Sequence, residues 1–283
     1  GGYIACELAH FYGGLGTEVD LVVRSNRLLK HEDDEVAVEF MRVFGQLYNV
    51  CYQHKTKSVS YADGQFKLIA EFDGQEKELI GDQLLVATGR VPNTDILKLK
   101  ENTNIELTEK GFVKVNDFFE TNIPGVYAYG DIAGRHFFRH SANREGERLF
   151  NNLYGKDKTK PQPINYHGMP HAVFSYPQVA GVGATESELK EQGTDYVIGK
   201  RAYKRSGMGM ALRSDHGFVK ILADRQTREI LGAHIVGREA STLIHELIYA
   251  VRNHATTDDV LDTIHIHPAL SELIPKAIKE IQW

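Results

Sequence analysis

The sequence predicts an α/β domain that carries an antiparallel insertion, followed by an α+β domain. Three observations support that division. A glycine turn, a helix-spaced apolar run and a β-branched strand follow one another over residues 1–23, as in the second half of a βαβ unit. Asp63-Gly64 and Asp73-Gly74, both strong hairpin signals, then separate three strand-like runs. Beyond a polar stretch at 155–165 with Pro161 and Pro163, read as a linker, strands are followed by helices, an α+β order.

Composition narrows the function. A chain of 283 residues suits two domains, and 42% hydrophobic with 25% charged residues suits a soluble globular protein. No apolar run approaches membrane-spanning length, so no transmembrane segment is expected. A net charge of −5 without a long Lys/Arg cluster argues against a general nucleic-acid binder. Cys6 and Cys51 form neither a C-x-x-C nor a zinc spacing, so no metal site is predicted, and they suit a reducing cytoplasm. Most of the thirteen histidines stand alone and are expected on the surface. The chain opens on Gly1-Gly2 without an initiator Met and reads as a piece of a longer one.

In chain order, Ile4, Leu8, Phe11 and Leu15 have helical spacing, and Gly13, Gly14 and Gly16 end that helix before a strand at 19–23. With one more glycine ahead of Gly1 the turn would read G-x-G-x-x-A, with Gly2 and Ala5 at its second and third small positions. That is a Rossmann-like dinucleotide fingerprint, in which backbone and helix N-terminus approach a pyrophosphate; a plain glycine turn before a helix is the alternative. Residues 32–48 read as an amphipathic helix with Val36, Phe40, Val43, Phe44 and Leu47 inward. Strands are expected at 59–61, 66–72 and 76–79, with a buried strand at 84–87 running into Thr88-Gly89-Arg90.

Short strands at 112–115 and 126–129 flank the turn Asn122-Ile123-Pro124-Gly125, and the second ends at Gly130-Asp131. Ligands of open α/β sheets lie at strand carboxyl ends, so Asp131 is placed to accept from a sugar hydroxyl. A turn or N-cap aspartate is the other reading. A helix at 141–154 follows.

In the last domain, strands are expected at 172–174, 196–203, 218–222 and 231–236, and Thr185 with Glu188 forms a capping box. Helices at 241–253, with Leu243, Leu247, Ile248 and Val251 inward, and at 257–263 complete the pattern. The final helix poses a boundary question. Started at Pro268, it would hold Pro275 two turns inside and break; started from Ser271 as N-cap, it holds Pro275 in its first turn, where proline is tolerated. His267 then lies in a non-helical lead-in, and Glu272 can reach back to it. An imidazole titrates near neutrality, and a carboxylate on one ring nitrogen leaves the other for acid/base work.

Four motifs now stand in order: half a dinucleotide fingerprint, Ala87-Thr88-Gly89-Arg90, Tyr127-Ala128-x-Gly130-Asp131, and His267-Pro268-x-x-x-Glu272. Together they resemble the flavin-dependent pyridine-nucleotide disulfide oxidoreductases, which include dihydrolipoamide dehydrogenase and the glutathione and mycothione reductases, over essentially the whole chain. The resemblance implies an NAD(P)-binding domain at 1–90, the remainder of an FAD-binding and central domain at 91–160, and a dimerisation domain at 161–283. It implies that Gly2 and Ala5 bind the nicotinamide nucleotide's pyrophosphate, that Glu7 lies near its nicotinamide ring, and that Gly89 lines the same cleft. Asp131 would hold the FAD ribityl chain, with His140 and Ala142 beside the isoalloxazine. His267, held by Glu272, would be the acid/base for a dithiol or disulfide substrate in the active site of the other subunit of a homodimer.

The resemblance places the family's redox cysteine pair, two cysteines separated by four residues, N-terminal to this chain; Cys6 and Cys51 match neither position. The coenzyme stays open between NAD and NADP. Val23 occupies the place of the acidic residue typical of NAD enzymes, while Arg24 and Lys30 stand where NADPH-linked reductases pair with a 2′-phosphate; the alternative is a solvated basic loop. The broad implication is a dihydrolipoamide dehydrogenase-like enzyme acting on lipoamide. An NADPH-linked reductase of a low-molecular-weight disulfide is its near rival, and a non-catalytic nucleotide-binding or dimerisation module is the rival of another class.

Overall fold

The computed structural model describes residues 1–156 and 159–283. Residues 1–88 and 167–283 form one compact unit, and residues 89–166 form a second.

The first unit begins with helix α1 (Tyr3–Gly14), with Gly2 as its N-cap. Its buried face is Cys6 and Ala9, not the expected stripe, for Ile4, Phe11 and Leu15 are exposed. Small side chains on that face let the helix sit close to its neighbours. Strand β1 (Asp20–Val23) pairs in parallel with β2 (Asn49–Tyr52), with Asp20 opposite Asn49. Four residues long, β2 is too short to show a strand period in the sequence. Between them α2 (Asp34–Phe44) is capped by the Asp33 carboxylate, which accepts from the Glu35 N–H at 3.2 Å. Val36, Phe40, Val43 and Phe44 are buried as expected, but Leu47 lies beyond the C-cap Gly45 and is exposed.

Strands β3 (Lys55–Ala62), β4 (Gln65–Phe72) and β5 (Gln75–Gly81) form the antiparallel insertion. Asp63 and Gly64 both adopt positive φ (52° and 80°), the requirement of the tight hairpin that Asp-Gly favours. The buried strand expected at 84–87 is a correction. Those residues form no strand, and Leu84, Leu85 and Val86 are exposed, Val86 at 73%. A strand needs a ladder on at least one side, and among the described residues this run has none.

The C-terminal segment supplies a five-stranded antiparallel sheet in the order β6-β7-β10-β9-β8. Its strands are β6 (His171–Val173), β7 (Gln178–Gly183), β8 (Tyr196–Ala202), β9 (Phe218–Asp224) and β10 (Ile230–Gly237). The glycine-containing β7 was not foreseen. The two faces of the sheet meet two different cores, for Val179, Phe218 and Val236 belong to one and their strand neighbours Ala180, Val219 and Ile235 to the other. Val173, Val179, Phe218 and Val236 join Cys6, Val23, Phe40 and Phe44 in a cluster that binds this sheet to the nucleotide-type segment.

Further down the chain lie α3 (Leu99–Asn102) and α4 (Arg139–Tyr154) of the second unit, then α5 (Glu186–Gln192), α6 (Gly207–Ala211), α7 (Ala240–Arg252), α8 (Thr257–Leu261) and α9 (Leu273–Ile278) of the first. Helix α7 packs on β7 and β10, and α9 on β8. Gly199 in β8 permits the latter approach, since a Cβ there would stand 2.3 Å from the Ala277 carbonyl oxygen. The inner face of α7 is Ala240, Ile244, Leu247, Ala250 and Val251, with Leu243 and Ile248 only partly buried. Lys220, fully buried in β9, donates to Asp33 (3.0 and 3.1 Å) and Glu186 (2.6 Å) and pairs with Glu35 (2.9 Å). A buried ammonium persists only with such partners.

A further correction concerns a helix boundary. The last helix does not start from Ser271: a 3-10 turn over Leu270–Glu272 runs directly into α9, whose N-cap is Glu272. Pro275 is still in the first turn, where its missing N–H breaks no helical bond. Among the histidines, His234 is completely buried in β10.

The second unit has little regular structure besides α3 and α4. The strands expected at 112–115 and 126–129 reduce to single bridges, Leu107 with Val113 and Glu120 with Tyr127. With one bonded residue apiece, neither forms a ladder. Gly130–Ala133 is a 3-10 turn, and α4 starts two residues earlier than expected. The expected linker at 155–165 includes Asp157 and Lys158, which lie outside the described residues.

Candidate functional site

The His267 imidazole sits in the non-helical lead-in to α9, with its side chain 76% exposed. Its Nδ1 lies 3.0 Å from Glu272 Oε1. Glu272 is only 14% exposed and is held from three sides. Besides His267, it accepts from the Ala269 N–H (3.2 Å) and from the Lys276 ammonium (3.1 Å). The hydrogen bond from His267, reinforced by those of Ala269 and Lys276, holds the Glu272 carboxyl down at about 2. An ionised carboxylate only accepts, so Nδ1 carries the proton and Nε2 is the basic nitrogen facing outward. The spacing of five works because the 3-10 turn brings Glu272 back beneath its own lead-in.

Two residues before it, His265 forms a second His–Glu pair that the sequence reading did not find. Its Nε2 donates to Glu246 Oε1 of α7 (2.8 Å), and its ring is largely covered. Nineteen residues separate the two, so no local spacing signals the contact. Ile264 and Ile266 alternate with these histidines and are exposed at 97% and 78%.

At the other end of this unit, Gly2 leaves nothing within 4 Å of where a Cβ would stand, so the start of α1 is open in front of its unbonded N–H groups. A pyrophosphate fits such a cradle. Ala5 is half-buried one turn on. Arg24 and Lys30 are exposed and form no ion pair among the described residues, whereas Arg27 is engaged by Asp34 at 2.5 Å. Glu7 is half-buried and accepts the Phe174 N–H at 2.9 Å, tying α1 to the end of β6. Tyr3 donates to Glu32, whose other oxygen meets His171 Nε2 at 2.8 Å. This chain of three joins the turn after Gly2 to β6, and the sequence offered no sign of it. Burial pushes the Cys6 thiol up to about 12, so it is no nucleophile at neutral pH.

In the second unit Asp131 pairs with Arg90 at 2.9 Å, both half-exposed. Gly89, just before Arg90, has φ of +135°, open to glycine alone. The Gly130 N–H donates to the buried Glu145 Oε2 at 2.6 Å, and Ser141 and Tyr166 donate to its Oε1 at 2.9 and 2.7 Å. Glu145, which the sequence reading passed over, thus sets the turn that presents Asp131. Burial and the bond to Glu145 push the Tyr166 hydroxyl up to about 12, so it stays a donor. Ala142 backs Gly130, where a Cβ would come within 3.3 Å of its methyl, and His140 stacks on Phe138 with centroids 5.2 Å apart.

A parallel βαβ-type segment with an open helix N-terminus, packed on an antiparallel sheet that ends in an exposed carboxylate-held imidazole, defines a two-part nucleotide-binding and interface architecture. Comparison with known proteins gives the family. Residues 1–147 match the pyridine nucleotide-disulphide oxidoreductase family and residues 169–278 its dimerisation domain, and the chain belongs to that family. It is 34% identical to a mitochondrial dihydrolipoyl dehydrogenase of Arabidopsis thaliana and 34% identical to the dihydrolipoyl dehydrogenase of Bacillus subtilis, in each case over 98% of this chain. The matches span 54% and 58% of those relatives, so the chain covers little more than half their length. The crystal structure of LpdA from Mycobacterium tuberculosis matches 98% of this chain and 59% of its own at a TM-score of 0.87 and 26% identity. RclA of Escherichia coli, a flavoprotein disulfide reductase, shares the fold over 98% of this chain and 62% of its own, at a TM-score of 0.89 and 22% identity.

Proposed function

We propose that the chain is the nucleotide-binding and interface portion of an FAD-dependent NAD(P)H disulfide oxidoreductase of the dihydrolipoamide dehydrogenase kind, with His267 as its acid/base. The observation that carries this reading is the His267–Glu272 pair, an exposed Nε2 whose Nδ1 is committed to an ionised carboxylate. Thiol–disulfide exchange needs a thiolate attacker and a protonated leaving thiol. His267 Nε2 takes the proton from the substrate thiol and returns it to the leaving sulfur, while Glu272 holds the tautomer.

When bound, the nicotinamide and the flavin supply the hydride and electron transfer. Gly2, Ala5 and the open turn of α1 would hold the nucleotide's pyrophosphate, with Glu7 near its ring and Gly89 along its cleft. Asp131, His140 and Ala142 would serve the flavin. Cys6 and Cys51 do not supply the redox pair, being buried, with Cys6 held as a thiol. Two copies would join through the C-terminal sheet and helices, so that His267 serves the partner's site; the exposed Ile264 and Ile266 beside it support such coverage. The free, buried thiols support a reducing compartment such as the cytoplasm.

The test is His267→Gln in the flavin-loaded protein. Dithiol turnover should fall by about 10²–10⁴-fold while NAD(P)H still reduces the flavin; undiminished turnover would exclude the acid/base role.

A second reading, an NADPH-linked reductase of a low-molecular-weight disulfide, is favoured by the exposed Arg24 and Lys30 in the loop after β1, which form no ion pair among the described residues. A 2′-phosphate would take both charges. Arg24→Glu should move the NADPH/NADH ratio of kcat/KM toward NADH by about tenfold or more, the loss of one charge-assisted hydrogen bond. An unchanged ratio would leave NAD as the coenzyme.

A further inference from the structure

Outside the redox site, three metal-type ligands converge on one edge of the C-terminal sheet. His167 precedes β6, Glu229 precedes β10, and His254 follows α7. One ligand atom from each lies within 4.8 Å of those of the other two. The two imidazoles face each other in parallel, with centroids 4.4 Å apart and planes 10° apart. Separated by 62 and 25 residues, the three make no sequence spacing, which is why the sequence predicts no metal site.

Each is held in place by its surroundings. His167 Nε2 donates to the Val251 carbonyl at 2.8 Å, and Arg252 donates to the His167 carbonyl at 2.8 Å. His254 Nδ1 donates to Glu229 Oε1 at 2.6 Å, which leaves its Nε2 lone pair outward. Glu229 is also fixed through its backbone, which bridges to Thr256. His254 keeps a left-handed φ of 55°, unusual for a residue with a side chain and maintained only where the surroundings demand it. Imidazoles anchored by carbonyl and carboxylate acceptors are the usual form of metal-binding histidines. The set is reachable from solvent, with His254 62% and Glu229 30% exposed.

We propose that His167, Glu229 and His254 form a binding site for a borderline divalent transition cation, zinc being the probe. Two imidazoles and one carboxylate suit that class, with water completing the coordination. The ion would clasp the segment entering β6, the start of β10 and the end of α7, all within one unit. The site shares no residue with the His267–Glu272 pair, and its occupancy does not depend on redox activity.

The experiment is equilibrium dialysis of the oxidised, cofactor-loaded protein against zinc alone, with bound metal measured by elemental analysis. The wild type should bind one more zinc equivalent than the triple variant H167N/E229Q/H254N. Single variants H254N and E229Q should weaken that equivalent by at least about tenfold, whereas His267→Gln retains it. Asparagine tolerates the positive φ at position 254, and E229Q alters no backbone demand, so each variant checks the other. Equal zinc uptake at equal affinity in the wild type and the triple variant would overturn the proposal.

Discussion

The molecule contains the same residue pair in two settings. Glu32 is completely buried and meets a largely covered His171, whereas Glu272 is mostly covered and meets a histidine that is 76% exposed. Burial pushes the Glu32 carboxyl up, and the hydrogen bonds from His171 and Tyr3 more than reverse this, leaving it below its ordinary value. At Glu272 the bond from His267 leads, desolvation is a minor opposing effect, and the carboxyl sits near 2. The first pair joins two parts of one core and commits Nε2 of a His171 side chain that is only 18% exposed. The second commits only Nδ1 and keeps Nε2 in solvent. What separates a structural His–Glu pair from a chemical one is which ring nitrogen is left over and whether anything can reach it.

Three measurements on two variants would break or sharpen this contrast. The largest effect is expected at the buried pair. Glu32→Ala strips Tyr3 and His171 of their shared acceptor and should cost about 3–5 kcal/mol of stability, read by denaturant unfolding. A loss under about 1 kcal/mol would mean the pair is not structural. Next comes Glu272→Gln, which leaves His267 in place but removes the ionised acceptor. Turnover should fall by about tenfold or more, less than for His267→Gln, because second-sphere partners of functional imidazoles have effects of about 10–100-fold.

The smallest effect is in acid. A carboxyl held near 2 when folded and near 4.5 when unfolded contributes stability that is fully present above about 4.5 and is lost as pH falls toward 2. Glu272→Gln should therefore flatten the acid limb of the unfolding curve between those values, its difference from the wild type being constant above about 4.5. Parallel wild-type and variant curves across that window would contradict the depressed carboxyl.

Legibility in the sequence followed the range of the contacts involved. The hairpins at Asp63-Gly64 and Asp73-Gly74, the Thr185 capping box and the amphipathic α2 depend on neighbours in sequence, and all were readable. The pair His267–Glu272 was readable for the same reason, five residues being within the reach of one turn. Glu145, which braces Gly130, stands fifteen residues away, and His265 finds Glu246 on another helix. Such pairs leave no periodicity to detect. Residues 84–87 failed in the opposite direction. Their apolar pattern is a valid strand signal, but a strand is a relation between segments, and among the described residues no second segment bonds to them.

The sequence by itself determined the amphipathic α2, the hairpin turn chemistry, the open glycine at the head of α1 and the identity of the histidine–carboxylate pair. These are consequences of backbone freedom and side-chain spacing along one strand or helix. Only the tertiary structure decided which face of α1 is buried, that His234 and Lys220 lie inside, and that His171 closes on Glu32 across 139 residues. It also decided that His167, Glu229 and His254 meet at one edge. Desolvation and convergence of distant groups are properties of the packed chain, and they set which ionisable residues are structural and which remain free to act.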